Sequence, residues 1–229
     1  MSENLLTLSR IFMTECRVLI LILILSSSLF SYDFFIGRLK YDGGGDWYAS
    51  PTAVNNLLEF ISEETGIRTA PSEGVVTIGE NLSSFPYIFV TGHGTIDMSE
   101  REIRILRRHL LNGGFMHADD NYGLDRSFRK LVARIFPDKE FVHVPFDHPV
   151  YNIKYRFPEG LPKIHEHDGK PPEGLGIFHE GRLVLFYSYE TDLGNGWEDA
   201  SVHNVPQEKR LQALRMGCNI VLNYLSSFR

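Results

Sequence analysis

The chain has 229 residues, 43% apolar and 12% aromatic, enough to bury one good core. Its 23 Lys+Arg against 29 Asp+Glu give a net charge of −6, and no basic stretch is dense enough to track phosphates, which excludes nucleic acid as the main partner. Its two cysteines, Cys16 and Cys218, allow neither a disulfide framework nor a cysteine zinc site.

Residues 1–31 read as a targeting segment. Arg10 and Arg17 precede a continuous aliphatic run, Val18 to Leu25, followed by Ser26-Ser27-Ser28. The uncharged span from Val18 to Tyr32 is 15 residues, shorter than the roughly 20 of a spanning helix. A secretory signal peptide cleaved near Ser28 or Ser31 is favoured over an uncleaved signal anchor. Either way the chain is expected to be exported, periplasmic or extracellular, and to meet a membrane only through that leader. Residues 34–229 are then expected to form a single α/β domain.

Phe34 to Tyr41 reads as the first strand and delivers Asp42-Gly43-Gly44-Gly45-Asp46-Trp47-Tyr48. The glycines permit a sharp turn; the flanking aspartates disfavour a phosphate, and neither G-x-G-x-x-G nor a Walker loop is present. Ser50-Pro51 predicts a helix start, with Ser50 as N-cap, and Val54, Leu57, Leu58 and Ile61 as its buried face. Gly66 ends it. Gly74 to Ile78 is a short strand. Tyr87 to Val90 is another, closed by Thr91-Gly92-His93-Gly94. Ser99 and Glu102 fit a capping box. Ile103, Leu106 and Leu110 then fall at helical spacing, and Gly113-Gly114 stops the helix. Phe115 to Ala118 is a buried strand running into Asp119-Asp120, so residues 86–120 predict a βαβ crossover.

Asp125 is expected to cap the next helix, with Phe128, Leu131, Val132 and Ile135 inward. Glu140 to Val144 reads as a strand ending at Asp147-His148. Residues 150–175 lack periodicity and carry His165-Glu166-His167-Asp168. Ile177 to Glu180 and Arg182 to Tyr189 form a hairpin across Glu180-Gly181, which emerges as Glu190-Thr191-Asp192. Gly194 to Asp199, with Trp197, reads as a polar loop. Glu208 to Leu225 closes the chain as a helix with Cys218 on its inner face. This order fits a three-layer α/β sandwich, with a mostly parallel flavodoxin-like sheet and an antiparallel addition.

RLKYDGGGDWY, TGHG, LLNGGFMHADD, PFDHPVY, KIHEHDG, GIFHEGRLVLFYSYETDLGNGWED and RMGCNIVLNYL, in that order, resemble the bacterial family catalogued as domain of unknown function 4159. The resemblance runs from about residue 34 to the C-terminus. It implies a class I glutamine-amidotransferase-like fold. Such enzymes carry a cysteine in a Gly-x-Cys-x-Gly turn. Here the turn holds Asp119-Asp120-Asn121-Tyr122-Gly123, so glutaminase activity is rejected. Gly-x-Ser-x-Gly is absent too.

Several strands finish on an acid or a histidine: Asp42, His93, Asp119-Asp120, Asp147-His148 and Glu190. Parallel strands present such ends on one edge, where they suit a divalent cation or acid–base catalysis. A cleft is therefore expected around Asp42, His93, Asp119, Asp120, Asp147 and His148. Asp46, Trp47, Glu190 and Trp197 join it as ligand-binding groups, and His165 and His167 stand near its mouth. Two functions follow. One is a catalytically degenerate domain binding a small polar ligand or a protein partner. The other is a hydrolase, with or without a metal, using Asp119 or Asp120 with His93 or His148. Because paired carboxylates repel, changing both Asp119 and Asp120 to Asn is expected to hold or raise stability in metal-free protein.

Overall fold

The computed structural model describes residues 32–228; the leader reading lies outside them. No helix of the described residues is long and apolar enough to cross a membrane.

The elements are β1 Gly37–Leu39, α1 Ala53–Thr65, β2 Gly74–Val76, β3 Tyr87–Val90, α2 Glu100–Leu111, β4 Phe115–Asp119, α3 Asp125–Ile135, β5 Val142–His143, β6 Glu173–His179, β7 Arg182–Tyr189, α4 Leu193–Trp197, α5 Ala200–His203 and α6 Gln207–Ser226. They build an α/β domain on a seven-stranded sheet of order β2-β1-β3-β4-β7-β6-β5. The first five strands in that order run parallel. β6 is antiparallel to both its neighbours.

Strand alternation decides the layers. Tyr87, Phe89 and Phe115 enter the core shared with α1 and α6. Ile88, Val90, Met116 and Ala118 enter the core shared with α2 and α3. Strands covered on both faces need no polar side, hence their unbroken apolar runs. The chain passes from β1 to β2 on one side and then returns past β1 to β3 on the other. Crossovers of one hand then put α1 and α2 on opposite faces. The reversal makes the carboxyl ends of β1 and β3 a topological switch point.

Local signals explain most boundaries. Ser99 and Glu102 form the full capping box on α2, and Gly66 caps α1 in the left-handed region at φ 73°. Glu180 and Gly181 both take positive φ, 50° and 78°, the requirement of a tight hairpin turn whose twist matches its strands. Two expected caps are corrected. Ser50 does not cap α1, since Thr52 holds that position without a side-chain bond. The Ser50 carbonyl instead accepts from the buried Arg38 guanidinium at 3.0 Å. Asp125 is the first residue of α3 rather than its cap, and its carboxylate takes Arg129 at 2.6 Å and the Tyr187 hydroxyl at 3.1 Å.

Residues 193–197 are a short helix, not a polar loop. Trp197 is fully buried. Its ring lies 5.3 Å from Phe89 and 5.7 Å from His117, and its indole N–H donates to Ala213 O at 2.8 Å. Gly217 on α6 admits it, because a Cβ there would stand 2.8 Å from the Trp197 ring.

Cys218 is buried in that same core. Burial pushes its thiol up to about 11, so its thiolate fraction at pH 8 is on the order of 0.001 and attack is slow. Native protein is expected to resist a thiol reagent that labels the unfolded chain at once. Cys218→Ser is expected to cost about 1–3 kcal/mol by burying a poorly paired hydroxyl, measured by urea unfolding.

Candidate functional site

The site grows from β4 and β7, which are parallel neighbours with Asp119 opposite Ser188. Asp119 is fully buried. Its Oδ1 accepts from Ser188 Oγ at 2.5 Å and Leu193 N at 3.2 Å, and its Oδ2 from Gly194 N at 2.7 Å. A Cβ on Gly194 would sit 3.2 Å from that Oδ2, so the glycine lets backbone approach the carboxylate. Burial first, then the nearby Asp192, raises the Asp119 pKa against the pull of these donors. With both oxygens occupied and its side chain fully buried, Asp119 is a clamp between β4 and α4.

Asp120, next in the chain, is 3% exposed. It accepts from Glu190 N at 3.1 Å, and burial raises its pKa to about 6. The chain beyond β7 is strained: Glu190 and Asp192 both have φ 56°, the left-handed region that non-glycine residues avoid. Such strain gathers at functional sites. Here it turns both carboxylates inward, leaving each side chain 1% exposed.

Residues 163–170 close over these acids. Lys163 Nζ meets Glu190 Oε2 at 2.6 Å, and Asp168 N donates to Glu190 Oε1 at 3.1 Å. The Glu190 pKa falls, because these donors outweigh its burial. The His167 side chain, 4% exposed, stands between two carboxylates. Its Nε2 is 3.1 Å from Asp192 Oδ2, and its Nδ1 is 4.0 Å from Asp120 Oδ2. Burial lowers the His167 pKa, but the Asp192 bond and the surrounding carboxylates raise it further, for a net rise. Among the described residues two groups have metal-ligand spacing: His165, His167 and Asp192, and Asp120, His167 and Glu190.

A second set lies on the same edge at the switch point. Asp46 Oδ2 is 3.0 Å from His93 Nδ1, and Asp46 Oδ1 accepts from His93 N. Gly92 is needed between them, at φ 138°, where a Cβ would strike the Tyr41 hydroxyl and Asp46 O. Trp47 leans edge-on against Tyr48, with ring centroids 5.6 Å apart, and lies under Lys40. The two sets are contiguous through Tyr122, whose O accepts from Gly94 N at 3.4 Å and whose ring meets His167 edge-on at 6.3 Å.

The expected single cleft is thus corrected in part. His93, Asp119 and Asp120 share an edge, since β3 and β4 run parallel, but His93 pairs with Asp46 rather than with either aspartate. Asp42 is exposed and joins Asp97 through backbone. Asp147 and His148 leave the group. The His148 ring packs on Phe178 at 5.7 Å, and Phe178 pairs with Leu183, six positions back from Tyr189 at the far end of β7. His148 Nδ1 accepts from Val150 N, starting a 3-10 turn. Trp197 leaves it for the core. Asp192, Lys163 and Ser188, which pattern reading passed over, enter it.

A surface cavity of about 490 Å³ lies at the opposite edge, between Pro86, His109, Gly114 and Tyr224. It is mostly apolar and apart from every acid named above.

Asp119→Asn replaces an acceptor by a donor facing Gly194 N–H. It is therefore expected to destabilise the protein by about 1–3 kcal/mol, the reverse of what carboxylate repulsion alone suggests. Asp120→Asn is expected to cost less than half as much. Urea unfolding of the two single variants checks this.

A model of the family described as Domain of unknown function (DUF4159) matches residues 35–225, and the chain belongs to that family. No curated protein matches it.

Proposed function

We propose that this DUF4159 member is an exported, catalytically degenerate amidotransferase-like domain that binds a small polar ligand at the carboxyl edge of its sheet. The observation that carries the reading is the meeting of five ionisable side chains from distant segments: Asp120, His165, His167, Glu190 and Asp192. All but the exposed His165 cost stability where they stand, through burial or through left-handed backbone. A purely structural edge would be cheaper with neutral caps. Two exposed rings on the same edge, Tyr48 at 64% and Tyr122 at 62%, supply apolar faces beside carboxylates. That combination favours a carbohydrate or polyol among polar ligands.

The strand order supports a flavodoxin-like, class I amidotransferase-like sheet. Degeneracy is supported by chemistry. Asp119-Asp120 occupies the turn where a nucleophilic cysteine would sit, and the described cysteine, Cys218, is buried in the α6 core. Export rests on the run from Val18 to Leu25.

One observation favours a hydrolytic alternative. Asp46 holds the His93 backbone and ring together, with Nδ1 at its carboxylate and the side chain 52% exposed. That is the arrangement of an oriented general base. In this reading His93 activates water and Asp120 faces the ligand. Asp119, fully bonded, and His148, at the far end of β7, have no part in it.

Thermal melting of the full chain, both in chelator and with added Zn²⁺, against a panel of monosaccharides, polyols and amino acids, tests the main reading. A ligand that raises Tm is expected, and Tyr122→Ala should weaken it by about tenfold, the worth of one aromatic contact. A panel without effect, or a response that ignores Tyr122→Ala, would count against the cleft. If a hydrolysed substrate emerges instead, His93→Gln should abolish turnover while leaving binding in place.

A further inference from the structure

We infer that His165, His167 and Asp192 hold a divalent cation of the zinc type, with Asp120 orienting the His167 ring from its other side. The inference rests on the cleft reading in one respect, that the open side of the ion is where an oxygen of the polar ligand docks.

Geometry comes first. Asp192 Oδ2 lies 3.8 Å from His165 Nδ1 and 3.1 Å from His167 Nε2, and one ligand atom from each residue lies within 4.8 Å of the others. Tetrahedral ligands at about 2.0–2.1 Å from zinc stand about 3.4 Å apart, so these separations bracket the required value. His165 and His167 are two apart in an irregular segment, and their rings meet at 5.7 Å.

The orphaned ring nitrogen is the independent observation. His167 Nδ1 is buried and has no hydrogen-bond partner among the described residues. It faces Asp120 Oδ2 at 4.0 Å. If the neutral ring donates from Nε2 to Asp192, Nδ1 turns a lone pair toward a carboxylate. If Nε2 binds a cation instead, the proton moves to Nδ1 and points at Asp120. That is the carboxylate–histidine–metal arrangement which fixes a ligand's tautomer.

Charge selects this group over the other. Glu190 already has Lys163 at 2.6 Å. Asp192 is as deeply buried and, among the described residues, has only the two imidazoles as ion-pair partners. Its Oδ1 takes Asn195 N at 3.4 Å, and Asn195 Nδ2 also donates to Oδ2. A buried carboxylate so placed lacks a full counter-charge. Imidazole and carboxylate donors suit zinc or another late first-row ion. His165 is 58% exposed, which leaves the ion open on its solvent side, as catalytic and ligand-exchanging sites require.

The test is calorimetric titration of the chelator-stripped full chain with Zn²⁺, repeated with Co²⁺ to read the visible bands of a four-coordinate site. One equivalent is expected. His165→Ala, at an exposed position that circular dichroism can confirm as folded, should weaken binding by at least about 100-fold, and Asp120→Asn by about 10–100-fold. His179→Ala, on the β6–β7 hairpin, should leave it unchanged. No stoichiometric uptake by the native chain would overturn the inference and leave His167 as an imidazolium between two carboxylates. Equal affinity in His165→Ala would overturn it as well. Titration without any organic ligand keeps this outcome separate from that of the thermal panel: a silent panel does not touch the metal site, and a silent titration does not touch the cleft.

Discussion

The Asp119 carboxylate is the constraint on which the functional edge depends. Two backbone N–H groups and one hydroxyl converge on it from β7 and the start of α4. These bonds fix the chain from Tyr189 to Gly194 against the end of β4. The left-handed turns at Glu190 and Asp192 follow from that fixed path, and so does the direction of their carboxylates. The same path drives Trp197 into the core against Phe89. A buried carboxylate is expensive, and it persists because unsatisfied amides at a buried helix start would be more so. The acid that resembles a catalytic candidate in sequence therefore has both oxygens committed to hydrogen bonds that hold the others in position.

Much of the frame was legible in the residues. Both-face burial of Tyr87 to Val90 and Phe115 to Ala118, with an amphipathic helix and a capping box between, specifies a parallel pair almost by itself. Glu180-Gly181 likewise declares its hairpin. What failed to show has physical causes. Trp197 sits among glycines, aspartate and glutamate, which read as solvent-loving, yet Gly194 lies against Asp119 and Gly196 against Ala213, and the glycine that admits the ring is the distant Gly217. His148 follows a strand that does run toward the functional edge, but the chain doubles back beyond it, and that depends on packing against Phe178. Asp192 could not be singled out because its importance comes from φ, and no local pattern requires a left-handed aspartate.

The two edges of the sheet differ in kind. At the amino edge, Pro86, Gly114 and Tyr224 border an apolar hollow with Arg108 and His109 on its rim. At the carboxyl edge the space is filled by the protein's own loop, with Lys163 against Glu190 and His167 between Asp120 and Asp192. This apolar hollow is thus distinct from the chemically richest place. This is understandable if a polar cleft collapses onto internal partners until something replaces them: Lys163, Asp168 and His167 satisfy acids that would otherwise need water or an ion.

The position of β7 has a consequence for how the domain assembles. It lies between β4 and β6, although more than 60 residues separate it from β4 in the chain. The tight turn at Glu180-Gly181 lets β6 and β7 find each other locally, within microseconds by the usual timescale for hairpins. Their insertion beside β4 must wait for a long loop to close. Until that docking, Asp119 has no amides to accept from, and Asp192 has no reason to adopt its turn. The functional edge is then the last part of the protein to acquire its shape, and the first that a weakened β4–β7 seam would lose.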